Sequence, residues 1–282
     1  MGRMQRAPAS WVLDLSDPRA PSQAIWDAMT PAERQRVVDT LPSEFEVDQA
    51  NPPEGDFHFE AKASIKDTLR GYFERIGRKV YLAAELPVYY PGEGMFAPDI
   101  MAVVDVETRQ RNGWTVSAEG KGLDFAMEIL WSGRSKKDLE DNVTRFAALG
   151  ITEYFVFDRR RLSLRGYRLL EARARRYQPL LAQQGRFSSV VLGLELGIEG
   201  DKLRFYHGTA SVEDTGERIT KLGTMVGDLV ARIDEAERRA EEAERQAARI
   251  DEAERRAEEA EQRADELARR LDAALAEIAR RD

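Results

Sequence analysis

The chain has 282 residues, 42% hydrophobic and 33% charged, with 43 Lys and Arg against 51 Asp and Glu, two His and no Cys. Without Cys there is no disulfide framework, thiolate zinc site, iron–sulfur cluster or Cys nucleophile, and a metal site has to be built from oxygen ligands, which suit Mg2+ or Mn2+. No run approaches the roughly 20 apolar residues of a membrane span, and the N-terminus lacks the apolar stretch of about 7–15 residues of a signal peptide, so the expectation is a soluble cytoplasmic protein without a membrane partner.

In chain order, residues 1–50 read as a docking segment with one signed helix. Thr30 is its N-cap, Pro31 its first residue and Glu33 the third, followed by apolar Val37, Val38 and Leu41 and stopped by Pro42. The loop 49–56 (QANPPEGD) marks a boundary, because Pro-Pro and Gly break both helix and strand. A second helix is expected from about Phe59 to Ile76, on apolar Ala61, Ile65, Leu69, Tyr72, Phe73 and Ile76. The period then changes. Residues 80–90, 99–106, 124–131 and 153–158 are short, rich in β-branched and aromatic residues and bounded by turns, so they read as strands, with further strand-like pieces at 162–170 and 188–205. A helix signed by Ser135-Lys136-Lys137-Asp138 and ended by Gly150 lies between the strands at 124–131 and 153–158. The order implies an α/β domain over 51–205, a mixed central sheet flanked by helices, with a linker at 206–221.

Residues 222–282 are a different material. ARIDEAERRAEEAE occurs at 231–244 and again at 248–261, a 17-residue offset. Small or apolar residues from Leu222 to Ile278 recur in steps of four and three, with one stammer at Ile250 to Ala253, as two heptads plus three residues require. This predicts a long helix, either a coiled coil that gives a homo-oligomer or a helical partner handle, or a solitary helix held by Glu–Arg pairs one turn apart.

The net charge of −8 is uneven. Residues 231–282 account for −5 of it, and residues 134–176 carry 12 basic residues against six acids, a net of +6. That stretch, including Arg134, Arg159, Arg160, Arg161 and Arg165, is either a solvated basic face or a surface that tracks phosphates, since Arg matches phosphate geometry and neutralised phosphates release counterions.

Pro98-Asp99 opens the second expected strand, and Glu128 lies inside the third among apolar residues. A carboxylate there needs a partner, a proton or a cation. The pair admits a salt bridge at a sheet edge, or a divalent ion that polarises a phosphoryl oxygen and activates water. The runs APDIMAVV (97–104), LDFAMEIL (123–130), KKDLEDNVTRFAALGITEYFVFD (136–158) and LRGYRL (164–169) resemble the Uma-type restriction endonuclease family of the PD-(D/E)XK nuclease superfamily, over about residues 50–205. The resemblance implies a metal-dependent DNA endonuclease in which Asp99 and Glu128 hold Mg2+ or Mn2+ and Glu60 takes the place of the superfamily's helical acid. His58 lies near a histidine common in the family, or is an ordinary surface histidine.

The superfamily's lysine is where the chain departs. Two residues after Glu128 stands Leu130, and fourteen after it, where the Uma-type branch offers Lys, stands Asn142. Lys137 and Lys136, at the start of the following helix, are the nearest replacements, with Lys121 more remote. In a regular helix, at roughly 100° per residue, position 137 lies about 140° around the axis from 142. The alternative is therefore a nuclease fold that has lost cleavage and serves as a DNA-binding module, or as a scaffold assembled by its tail.

Overall fold

The protein is described as a computed structural model covering residues 11–44, 55–130 and 137–278, without the side chains of Phe57, Lys137, Asp138 and residues 274–278. It divides into two compact units, Met1–Thr215 and Gly216–Asp282. After a short helix α1 (Gln23–Ala28), the Thr30 signal closes as a reciprocal box at the start of α2 (Pro31–Thr40). The Glu33 amide donates to Thr30 Oγ1 at 3.3 Å and the Thr30 amide to Glu33 Oε2 at 2.7 Å. Trp26, Val37 and Leu41 form a small satellite core against Tyr89.

α3 (Asp56–Ile76) ends at Gly77, whose left-handed φ of 68° lets Gly77 and Arg78 cap the last carbonyls. The expected strand at 80–90 is two, β1 (Val80–Ala83) and β2 (Val88–Tyr89). Between them Glu85 sits at φ 52° and Pro87 lacks a donor, so the ladder cannot continue. β3 (Ile100–Val104), β4 (Trp114–Thr115), the short α4 (Val116–Glu119) and β5 (Phe125–Leu130) follow. The capping pattern at Ser135 lies outside the described residues. A π-helical turn over Lys137–Asp141 leads into α5 (Asn142–Leu149), then β6 (Glu153–Asp158), β7 (Ser163–Arg168), β8 (Gln178–Pro179), β9 (Arg186–Ser189), β10 (Leu194–Glu199), β11 (Lys202–His207) and β12 (Ala210–Ser211).

The central sheet has the order β1-β3-β5-β6-β7-β8, antiparallel except for the pair β5–β6, which α5 connects. Alternation gives it two apolar faces. Ile100, Phe125, Met127 and Phe155 pack on Ile65, Leu69 and Phe73 of α3 and on Leu196 and Phe205 of the second, antiparallel sheet β12-β11-β10-β9. Met101, Ala126, Tyr154 and Val156 pack on Phe146 and Ala147 of α5. Residues 206–221, expected to link, instead hold the end of β11, all of β12, core residue Val212 and the start of α6 (Thr215–Ile278). The strand-like piece at 188–205 forms hairpins outside the central sheet, since the turns at 190–193 and 200–201 fold it back on itself.

α6 is a single helix of 64 residues, exposed along nearly its whole described length. One-turn ion pairs lie along it, among them Arg256 with Glu252 at 2.9 Å and Arg270 with Glu266 at 2.7 Å. Among the described residues no helix is long and apolar enough to cross a membrane.

Candidate active site

In the β3–β5 register Ile100 stands opposite Met127. One step outward Asp99 therefore stands opposite Glu128, where two strands end beside each other. The Asp99 amide donates to Glu128 Oε2 at 3.4 Å, and the Ile129 amide donates to Asp99 Oδ2 at 2.6 Å. The two acids are thus fixed by backbone as well as by side chains.

Two helices close on them from opposite sides of the sheet. From α3, His58 Nε2 lies 3.2 Å from Asp99 Oδ2, and Lys62 Nζ lies 3.8 Å from Asp99 Oδ1 and 2.5 Å from Glu85 Oε1. Lys62 is only 3% exposed. From α5, Asn142 Nδ2 donates to Glu128 Oε1 at 3.4 Å, so the residue at the position where Lys is expected does reach the site, as an uncharged amide. Glu85 holds its left-handed backbone while its amide donates to the Pro98 carbonyl at 3.0 Å, one residue before Asp99. A non-glycine residue in that region is strained, and such strain clusters at functional sites.

Glu60 is not brought into this group. It is exposed, two residues from both His58 and Lys62 and hence about 200° around the helix from each. Lys121 is at the other end of the strands, its ammonium donating to the Val104 carbonyl at 2.7 Å and pairing with Asp124 at 2.8 Å. Lys136 and Arg134, and the side chain of Lys137, lie outside the described residues. The backbone of Lys137 belongs to a π-helical turn, so the angular argument from a regular helix does not apply to it.

The arginines divide. Glu128, Val156 and Arg165 form one row across β5, β6 and β7, which puts exposed Arg165 on the face of Glu128, two strand spacings or about 10 Å away. Arg159 follows β6, its amide donating to the Leu130 carbonyl at 2.9 Å, and Arg160 is exposed beside it. Arg161 pairs with Asp158 at 3.1 Å. Two other basic residues of the stretch are structural. Arg168 pairs with fully buried Glu153 at 2.7 Å, and Arg145 is bonded to the Gly94 carbonyl and lies 4.8 Å over the Phe96 ring, where burial lowers its pKa.

Asp99 and Glu128 present carboxylate oxygens from adjacent strands, and among the described residues no group of three or more His, Cys, Asp or Glu is placed to hold a metal. Mg2+ binds through one or two carboxylates and keeps water and substrate phosphate as its other ligands. The donor set fits such an ion and does not make an all-protein cage.

The family model described as Uma2, putative restriction endonuclease, matches residues 46–205, more than half of the chain. The chain belongs to the Uma2 family. Among solved structures, a putative nuclease belonging to DUF820 from Anabaena variabilis is similar at a TM-score of 0.39 and 15% identity, over 50% of this chain and 75% of that one. No curated protein matches. The matched span includes α3, the central sheet and the whole Asp99–Glu128 site. Sequence reasoning missed Lys62 and Glu85 in this Uma2 chain. Lys62 carried a readable signal, since it stands on the apolar stripe of α3 three residues before Ile65 and seven before Leu69. Glu85 carried none, because its part depends on a turn that places it over the helix.

Proposed function

We propose that this Uma2 protein is a divalent-metal-dependent DNA endonuclease, with Mg2+ or Mn2+ at Asp99 and Glu128 and with Lys62 in the part of the superfamily lysine. The observation that carries the reading is a buried lysine ammonium 3.8 Å from one of two carboxylates that face each other across adjacent strand ends. When bound, the ion supplies Lewis-acid polarisation of a phosphoryl oxygen and a water of lowered pKa. The chain's own residues supply position and charge. The Ile129 amide and His58 orient Asp99 Oδ2, leaving Oδ1 turned toward Lys62. Lys62, held by Glu85, is 3% exposed, and a charge in so poorly solvated a place is worth far more than in water and needs no reorganisation as a phosphate arrives. Asn142 orients Glu128 and holds no charge of its own. Arg165, on the face of Glu128, and Arg159–Arg161 at the strand end bind the DNA backbone.

Purified protein incubated with supercoiled plasmid and Mg2+ or Mn2+ is expected to nick it, and Asp99→Ala and Glu128→Ala to abolish nicking. Equal nicking by all three proteins would sink the site. Asn142 in place of Lys favours a second reading, a DNA-binding module without cleavage, which salt-sensitive binding by an inert wild-type protein would support.

A further inference from the structure

The aliphatic side chains of α6 gather near its start. Ile219, Leu222, Val226, Leu229 and Ile233 follow steps of three and four, and each is more than half exposed. Intrinsic helix propensity is lowest in the same stretch. Gly223 and Gly227 are poor helix formers beside Ala, and nothing lies within 4 Å of where a Cβ on either would sit, so no packing requirement explains them. A helix with both an uncovered aliphatic stripe and two internal glycines is held by what covers the stripe.

The identities along the seam select the partner. With Ile219 at position a of a heptad, Ile219, Val226 and Ile233 occupy a, and Leu222 and Leu229 occupy d. β-Branched residues at a with Leu at d favour two parallel strands. The flanking positions choose the orientation. In a parallel pair each g residue meets the e residue five positions on in the other helix. That sets Met225 against Val230, Arg232 against Glu237 and Arg239 against Glu244 of a second copy. Antiparallel pairing would set Arg against Arg and Glu against Glu. The duplication repeats the pattern after the heptads rephase at Ile250, with Arg249 against Glu254 and Arg256 against Glu261. Existing one-turn pairs such as Arg256 with Glu252 are exposed and exchange at little cost.

We infer that α6 pairs with α6 of a second copy as a parallel, in-register, two-stranded coiled coil nucleated at residues 219–233 and steered by Arg at g against Glu at e. This assembly is independent of whether the Asp99 site cuts DNA. In sedimentation equilibrium the full chain at micromolar concentration is expected at twice the chain mass; a monomer or a trimer overturns the proposal. Since the chain has no Cys, Val226→Cys supplies one thiol, which parallel in-register pairing sets opposite its copy, within the roughly 4.4–6.8 Å between Cα atoms that a disulfide spans. Mild oxidation is expected to give a covalent dimer, and a dimer that does not cross-link overturns the parallel register. Arg232→Glu with Arg239→Glu is expected to raise the dimer dissociation constant about tenfold or more, because several attractive pairs turn repulsive together. Mixing that chain with one carrying Glu237→Arg and Glu244→Arg is expected to restore pairing; an unchanged constant, or no rescue, counts against the charge steering.

Discussion

Replacing Lys62 by Met tests the chemistry of the site with the least disturbance of its packing. Met is close to Lys in length and volume, so the space between α3 and the sheet end stays filled. Glu85, 54% exposed in its side chain, returns to water, and Asp99 keeps the Ile129 amide and His58. The lost ion pairs are offset by the relief of an ammonium that was 3% exposed, and stability should change by about 1 kcal/mol or less. The rate should change far more. A unit charge about 4 Å from another contributes about 4 kcal/mol at an effective dielectric near 20. At about 1.4 kcal/mol per tenfold, losing it from the transition state costs at most about three orders of magnitude, in the range of about 10²–10³ for one preorganised donor. Nicking of supercoiled plasmid, followed with protein in excess and Mn2+ present, should therefore slow by about 100- to 1000-fold, with a thermal melt within a few degrees of wild type. Lys62→Arg, which keeps the charge but not the shape, should recover part of the loss. A Lys62→Met protein that nicks within about threefold of wild type, against a loss on the scale of one donor, refutes the assignment.

Further expectations follow from single contacts. Arg165→Ala should weaken DNA binding and lower the slope of log affinity against log salt by about 1, because one phosphate contact is removed; an unchanged slope removes Arg165 from the interface. Tyr90→Phe leaves the Leu123 amide, which now donates to the Tyr90 hydroxyl at 2.8 Å in the core, without that acceptor. It should lower stability by about 1–3 kcal/mol in urea unfolding. Glu153, fully buried, accepts from Arg168, Ser189 and the Val190 amide. Glu153→Ala should cost about 3–5 kcal/mol, and a variant with an unshifted denaturation midpoint would contradict that account of the network.

Much of the first unit is legible in the sequence because local signals and tertiary packing agree. The box at Thr30, the stripe of α3, the aromatic-rich, fully buried β6 and the Gly150 stop each have one reading, and each forms. Legibility fails where backbone geometry decides. Residues 80–90 look like one strand until Glu85 turns left-handed, and residues 206–212 look like a linker until β12 closes on β11. At the site, the strand positions of Asp99 and Glu128 alone leave a salt bridge open and the family resemblance singles the pair out; the register sets them opposite each other. Lys62 stands on an apolar stripe, where a lysine commonly snorkels, and only the docking of α3 at the sheet end brings its ammonium to Asp99. Glu60, which the resemblance offers as the helical acid, stands two residues earlier and about 200° around the same helix.

The identical repeats in α6 create an alignment problem. Slide one helix past the other by 17 residues, and the first repeat of one copy meets the second repeat of the other with every Ala knob and every Arg–Glu match intact. Nothing inside the repeats distinguishes the staggered arrangement from the flush one. The unrepeated aliphatic residues before Arg232 do, because staggering strands them opposite the Ala-rich segment and uncovers the same residues on the other chain. Those few side chains act as the index mark of the coil, and a chain trimmed of them would be expected to pair in two offsets at once.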